Sequence, residues 1–253
     1  MCKTRKQNKS FLFFTMLVSG RKVDYNKNIQ RIQDVFMSAF WSFISNGQVQ
    51  VGCTGQAVYI YDMSGKELCR FRDLKYAYRS FFCPNRNLVV VKSNEPWLAF
   101  YSLDSLSLIK KLRLRKPNSQ TQDDTLCFSP DGKFLLNLES QKDMSSHLVV
   151  YSMEDFSETA RFFHNGLYQL SHIEYSPENN GYLVLGKEKE NFIGIFDGNT
   201  LTGRKMISWE QFTEFLYRKE MEISGFTPKI VELLSSSVQK IEPIDLEAAY
   251  HQL

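Results

Sequence analysis

The sequence lacks most of the short motifs that mark disulfide scaffolds, nucleotide-binding enzymes and membrane proteins. Its 253 residues contain no C-x-x-C pair, and the five cysteines are widely spaced, so we expect reduced thiols rather than a disulfide framework. Phosphate-binding G-x-G-x-x-G and Walker-type loops are missing, as is a G-x-S-x-G nucleophile elbow. No run approaches the roughly eighteen apolar residues that a membrane-spanning helix needs. These absences predict a soluble, cytoplasmic protein.

Residues that could bind a metal or catalyse a reaction are also sparse. The four histidines include no pair at the i, i+4 spacing of a helical zinc site. The adjacent carboxylates Asp123 and Asp124 follow a polar stretch, where such side chains are usually solvated. The sequence therefore predicts neither a metal nor another cofactor and favours a protein that is not an enzyme, although catalytic groups that meet only in space stay open.

Charge is distributed unevenly along the chain. Residues 1–116 contain 20 Lys and Arg against 7 Asp and Glu, whereas residues 117–253 contain 11 against 21. This asymmetry indicates an anionic partner, self-attraction or simply two solvated faces, and we favour the solvated faces.

The basic amino terminus leads into an apolar run, Phe11–Val18. A secretory signal peptide over residues 1–20 would have this outline and would make the protein secreted. The run is short and rich in Phe, and Arg21 and Lys22 would follow the cleavage site directly. We therefore favour a β-strand.

A repeated pattern is the strongest signal in the chain. An aromatic residue, a small residue and a proline lead into a polar turn, and the prolines lie 46, 47 and 51 residues apart. The four copies are Phe82-Cys83-Pro84-Asn85, Phe128-Ser129-Pro130-Asp131, Tyr175-Ser176-Pro177-Glu178 and Phe226-Thr227-Pro228-Lys229. A second marker keeps the same phase, at Tyr61-Asp62, Tyr101-Ser102, Tyr151-Ser152 and Phe196-Asp197. In an all-β context, a period in the forties predicts propeller blades.

The strands inside each unit differ in their patterns. Runs such as Leu88–Val91 are continuously apolar, which indicates burial on both faces. The last strand of the second unit instead alternates the cations Lys111, Arg113 and Arg115 with leucines. This alternation predicts an outer strand whose cations face solvent.

The aromatic-Ser-Pro-Asp-Gly turn, followed about twenty residues later by Tyr-Asp or Tyr-Ser, resembles the WD40 and YVTN-like β-propeller superfamily. The resemblance covers roughly residues 35–247. It departs from typical WD40 repeats because no Trp-Asp dipeptide ends a unit and no Gly-His precedes one. The resemblance implies a fold and leaves the function open, because propellers have many unrelated functions.

We expect an all-β propeller of about five four-stranded blades. The predicted blades lie at about residues 29–73, 74–117, 118–165, 166–218 and 219–253, after a basic tail and closing strand at 1–28. In this interpretation Phe11–Val18 completes the last blade beside Val238–Ile244. The alternative is a chain that lacks blades and closes only against another molecule.

A short helix is predicted over Ser208–Glu222, between blades. Ser208 and Gln211 resemble a capping box, and Trp209, Phe212 and Phe215 are spaced for one helical face. The helix would serve as a docking element for a partner or as a cover over the edge of the propeller, and we favour the cover.

The repeat also suggests where a ligand would bind. The positions five and six residues before each proline enter the innermost strand, so they should surround one mouth of the channel. The candidate binding residues among them are Tyr78, Arg79, Asp124, His172 and Glu222. The alternative is that they are ordinary polar loop residues.

The predicted function is a non-catalytic scaffold that binds a protein or peptide, because stacked blades present a broad rigid surface. The alternative is an enzyme or small-ligand binder that uses the central funnel. Nucleic acid is not expected, because no stacking aromatic residues are interleaved with the cations of Lys110–Lys116. The partner and the oligomeric state are not predicted.

Overall fold

The computed structural model describes residues 40–114, 125–141, 143–166 and 168–223, with side chains as far as residue 216. This part of the chain contains sixteen strands followed by one helix. The strands form four antiparallel sheets of four, and consecutive strands are neighbours in every sheet. The architecture is thus all-β and propeller-like, as the repeats predicted.

The strands have the following bounds. Sheet 1 contains β1 (Ser42–Ser45), β2 (Val49–Cys53), β3 (Val58–Asp62) and β4 (Glu67–Phe71). Sheet 2 contains β5 (Ala77–Phe82), β6 (Leu88–Ser93), β7 (Trp97–Ser102) and β8 (Ser107–Arg113). Sheet 3 contains β9 (Leu126–Phe128), β10 (Phe134–Ser140), β11 (Ser146–Ser152) and β12 (Glu158–Phe162). Sheet 4 contains β13 (Gln169–Ser176), β14 (Gly181–Lys187), β15 (Asn191–Phe196) and β16 (Leu201–Met206), and the helix α1 (Trp209–Ile223) follows.

The proline marker forms the turn between the first two strands of a sheet. In sheet 3, the Asp131 carboxylate accepts hydrogen bonds from Ser129 Oγ at 2.6 Å and from the amide of Lys133 at 3.1 Å. Gly132 has a φ of +68°, and a Cβ there would lie 2.8 Å from the carbonyl oxygen of Pro84. Glycine is therefore required both by the turn and by the close approach of the neighbouring sheet.

Buried side chains hold the sheets in a row. Val89 and Val91 of β6 pack against sheet 1, whereas Leu88 and Val90 of the same strand pack against sheet 3. A third apolar cluster joins sheet 3 to sheet 4. The middle strands are continuously apolar because each is covered on both faces.

The outer strands are the least buried, as the alternation in β8 predicted. Arg113 is exposed, whereas Lys111 is half-buried and donates a hydrogen bond to the carbonyl oxygen of Asp73 at 2.6 Å. The side chain of Arg115 lies outside the described residues. The cations of this strand are therefore not equally exposed.

The helix lies close to its predicted position and packs over sheet 4. Ser208 N–H donates to Gln211 Oε1 at 3.0 Å, and the amide of Gln211 donates to Ser208 Oγ at 3.2 Å. These reciprocal bonds form the capping box. Phe212 and Phe215 are buried against sheet 4, so α1 lies on the face that a following blade would use.

The predicted blade count was wrong for this part of the chain, which contains four sheets instead of five. The helix continues to Ile223, so Glu222 and Ile223 are helical where a fifth blade was expected to begin. No apolar cluster of described residues joins sheet 4 to sheet 1, and the described sheets are not closed. The two predicted closing strands, Phe11–Val18 and Val238–Ile244, lie outside the described residues.

Removing the Phe212 side chain should release α1 from sheet 4. Phe212→Ala is expected to lower the free energy of unfolding by about 3 kcal/mol, because it leaves a cavity in a buried cluster. Trp209→Ala removes an exposed ring and is expected to cost less than about 1 kcal/mol. Urea denaturation measures both values, and equal losses would contradict this packing of the helix.

Candidate functional site

The candidate residues predicted from the repeat are buried wherever their side chains are described. Tyr78 and Arg79 on β5 are 5% and 6% exposed, and His172 on β13 is 3% exposed. Asp124 lies outside the described residues, and Glu222 belongs to α1 beyond the described side chains. The three described candidates therefore do not form an exposed polar ring.

The candidates on β5 and β13 lie at equivalent β-bulges. The pairing register of β5 shifts between Ala77 and Arg79, and that of β13 shifts between Leu170 and His172. A bulge leaves a backbone group without its partner in the ladder. In both strands a hydroxyl of the preceding sheet accepts a hydrogen bond from an amide two residues after the extra residue. The two bonds are Ser80 N–H to Ser42 Oγ at 3.3 Å and Ile173 N–H to Thr125 Oγ1 at 3.0 Å.

Lys92 links the candidates of sheet 2 to sheet 3. It is the register partner of Arg79, and its ammonium donates to the carbonyl oxygens of Leu138 at 3.0 Å and Thr125 at 3.5 Å. Thr125 in turn accepts from the residue after His172. Lys92 and Thr125 therefore connect sheets 2, 3 and 4 through buried hydrogen bonds, and Arg79 and His172 lie beside these bonds in their strands.

The His172 ring lies beneath the helix. It packs edge-on against Phe215 with the ring centroids 5.2 Å apart. Its Nε2 lies 3.4 Å from Glu174 Oε2. The helix therefore covers His172 from solvent.

A second buried cluster, which the sequence did not indicate, is centred on Glu139 in β10. Its fully buried carboxylate accepts hydrogen bonds from Tyr151 Oη at 2.7 Å, Arg161 Nη1 at 3.4 Å and Asn137 Nδ2 at 3.4 Å. Desolvation raises the pKa of Glu139, although the Tyr151 hydroxyl and the positive charges of Arg161 and Lys92 oppose this effect. The carboxylate is enclosed by its own fold and does not reach the surface.

The buried thiols have raised pKa values. Burial raises the pKa of the Cys53 thiol to about 12 and that of Cys83 to about 11, so both are protonated at neutral pH. Burial also raises the pKa of Cys127. Within the described ranges, no group of three or more His, Cys, Asp and Glu side chains is arranged to hold a metal ion.

A pocket of about 260 Å³ lies beside the outer strand of sheet 3. Arg161 forms part of its lining. The guanidinium of Arg161 already donates to both carboxylate oxygens of Glu158, at 3.0 and 3.1 Å. The strongest polar group of the pocket is therefore engaged by the protein itself.

Exposed aromatic side chains distinguish the two faces of the molecule. The innermost strands β1, β5, β9 and β13 begin on one face, which we call the Tyr76 face, and run towards the other, which we call the Asp131 face. Four aromatic side chains of the described part are exposed, and all but Phe134 lie on the Tyr76 face. These three are Trp41, Tyr76 and Trp209. The Asp131 face carries polar turns such as that of Asp131, together with the exposed side chains of Met63 and Phe134.

Tyr76 combines a left-handed backbone with an exposed aromatic ring. Its φ is +53°, one of seven positive values among the described residues other than glycine. Its side chain is 54% exposed, whereas Leu106, Phe156 and Phe163, which share the conformation, pack against apolar clusters. The amide of Tyr76 donates to Gly55 O at 2.5 Å, and its carbonyl oxygen accepts from the amide of Asn94 at 3.0 Å. The two bonds hold the backbone of Tyr76 in a left-handed conformation that a bulky side chain disfavours.

Comparison with known proteins supports the fold. No protein-family model matches the chain, and no curated protein matches it. A solved structure, Kuenenia stuttgartiensis hydrazine synthase, aligns with a TM-score of 0.57 at 14% sequence identity. The alignment covers 67% of this chain and 49% of that chain, so this chain matches about half the length of that relative. At this identity the likeness supports a β-propeller fold alone.

The described part contains no helix that is long and apolar enough to cross a membrane.

The raised pKa of Glu139 predicts a stability difference that depends on pH. The folded state favours the protonated carboxyl, so its contribution to stability is greatest below the ordinary Glu value of about 4.3 and is lost as pH rises through the raised value. Glu139→Gln does not titrate. Urea denaturation between about pH 4 and pH 8 should show wild type losing stability relative to this variant as pH rises. A constant difference would contradict the burial of an ionisable group here.

Thr125→Val should test the bond between sheets 3 and 4. The variant keeps the shape of the side chain and leaves the amide of Ile173 without its acceptor, which should cost about 1 to 3 kcal/mol. Thr159→Val is the control, because Thr159 bonds within one sheet at an exposed position. Urea denaturation should show the larger loss for Thr125→Val.

Proposed function

We propose that this chain is a non-catalytic, WD40-like propeller module that binds a protein or peptide on its Tyr76 face. The observation that carries the proposal is the exposed Tyr76 ring on a left-handed backbone. Such backbone conformations cost on the order of 1 to 3 kcal/mol and concentrate at functional sites. A ring that is half in solvent contributes little packing energy to the fold. A role in binding therefore accounts for the strained backbone better than a role in stability does.

The other residues of this face fit the same role. Trp41 and Trp209 also present aromatic surface there, and Met144 adds a flexible apolar side chain that suits binding surfaces. Tyr and Trp are the residue types that contribute most to protein interfaces. The Tyr76 face therefore has the composition of a docking surface.

The candidates from the repeat take a supporting role in this proposal. Tyr78, Arg79 and His172 are buried, so they support the surface of the Tyr76 face rather than touch a partner first. Asp124 and Glu222 complete the proposed binding set. Alanine replacement of Tyr78 or Arg79 would remove buried side chains, and we expect it to lower stability by more than about 1 kcal/mol.

Two further features support a non-catalytic, cytoplasmic module. The Glu139 carboxylate is engaged by Tyr151 and Arg161 inside the fold, and the thiols of the described cysteines are free. Free thiols are typical of reducing compartments.

Tyr76→Gly separates binding from folding. Glycine adopts a positive φ without strain, so the free energy of unfolding should stay the same or rise by up to about 1 kcal/mol. Binding should fall because the ring is gone. The matched control is Phe134→Ala, which removes an exposed ring from the Asp131 face.

The measurement is capture from an extract of the native source, with quantitative mass spectrometry of the proteins bound by wild type and by each variant. We expect a set of proteins to be lost about tenfold or more with Tyr76→Gly and retained with Phe134→Ala. Loss with Phe134→Ala alone would move the site to the Asp131 face. A Tyr76→Gly protein that is destabilised would instead make Tyr76 a structural residue.

A further inference from the structure

The two halves of the sheet row carry opposite charge. Residues 40–114, which form sheets 1 and 2, contain 10 Lys and Arg against 5 Asp and Glu. Residues 125–216, which form sheets 3 and 4 and the start of α1, contain 7 against 13. A ligand at sheets 1 and 2 therefore meets positive potential.

Part of this positive charge is held in place beside Trp97. The Lys111 ammonium lies 4.6 Å from the centre of the Trp97 ring, and the guanidinium carbon of Arg113 lies 5.9 Å from it. Lys111 also donates to the carbonyl oxygen of Asp73 at 2.6 Å. Cation–π contacts and this hydrogen bond order the cations before any ligand arrives.

The ordered cations are continuous with Tyr76. Asp73, whose carbonyl binds Lys111, lies three residues before Tyr76 in the same loop. Asn94, whose amide donates to Tyr76 O, lies three residues before Trp97. The exposed ring and the cations thus belong to one surface, which we call the Tyr76–Lys111 patch. Exposed Arg72 and Lys75 lie in the same loop as Asp73.

We infer that the partner segment bound at the Tyr76–Lys111 patch is an acidic peptide with an apolar anchor. This inference rests on the proposed function and names the chemistry of the partner. The Tyr76 ring offers aromatic surface to the anchor. The Lys111 ammonium has three donors, so donors remain for a carboxylate beyond the bond to Asp73. Arg113 offers a second, planar set of donors to a neighbouring carboxylate.

The patch suits a peptide better than a nucleic acid. Lys111 already covers a face of the Trp97 ring, so that face is closed to a stacking base. The carboxylates of Asp73 and Glu95 also belong to this surface, and they would repel a continuous phosphate backbone. A peptide needs no stacking face, and its separate carboxylates can be placed away from Asp73 and Glu95.

The test is selection of random twelve-residue peptides, displayed on phage, against the full wild-type chain. We expect the enriched peptides to contain more Asp and Glu than Lys and Arg, together with a bulky apolar residue. Synthetic copies of these peptides then give affinities by fluorescence anisotropy. Lys111→Glu and Arg113→Glu should each weaken binding by about tenfold or more, because the new carboxylate repels the ligand.

Lys66→Glu is the matched control. It makes the same change in net charge in sheet 1, on an exposed turn of the Asp131 face, so affinity should stay within about twofold. Arg113→Glu changes an exposed side chain and therefore covers the case in which Lys111→Glu fails to fold. Far-ultraviolet circular dichroism of each variant confirms that it folds.

Four results would overturn the inference. They are no enrichment over an unrelated control protein, enrichment of neutral or basic peptides, equal weakening by Lys66→Glu, and a labelled twelve-nucleotide oligouridylate that competes at the same site. A dimer in sedimentation that Lys111→Glu dissociates would assign the patch to a second copy of the chain. If the selected peptides are neutral and Tyr76→Gly still weakens their binding, the proposed function stands and only the acidic chemistry of the partner fails.

Discussion

The structure depends on the burial of both faces of the middle strands. A sheet whose central strands are apolar on both sides is stable only between two neighbours, so the four sheets stack in a row and α1 covers the last one. Leu88–Val91 illustrates the constraint, because alternate residues of this one run belong to the cores on either side of it. Most of the buried apolar surface therefore lies between sheets.

Polar side chains then fix how neighbouring sheets meet. Ser42 and Thr125 accept hydrogen bonds from amides of β5 and β13 that follow the bulges, and Lys92 donates to two carbonyl oxygens of sheet 3. Buried polar groups without partners are costly, so these bonds favour one alignment of the sheets over others. These bonds hold surface residues such as Tyr76 at fixed positions, so the binding that we propose loses little entropy to ordering.

Much of the fold could be predicted because its signals are local. The proline turns, the apolar runs and the capping box of Ser208 and Gln211 each act within a few residues. The candidate site was harder to predict. The position of Arg79 and His172 in the repeat was recognised, yet both are buried, and Tyr76 carried no signal because its φ is set by bonds to Gly55 and Asn94. The blade count was wrong where helical periodicity in 209–223 overrode the longer repeat.

The sequence by itself determined the proline turns, the apolar middle strands and the position of the helix, since these follow from periodicity and turn chemistry. Only the tertiary structure decided which polar residues are enclosed and which aromatic rings stay in solvent. Burial at Glu139 and exposure at Tyr76 depend on neighbouring strands and sheets from elsewhere in the chain. No local pattern in the sequence encodes how such distant segments pack together.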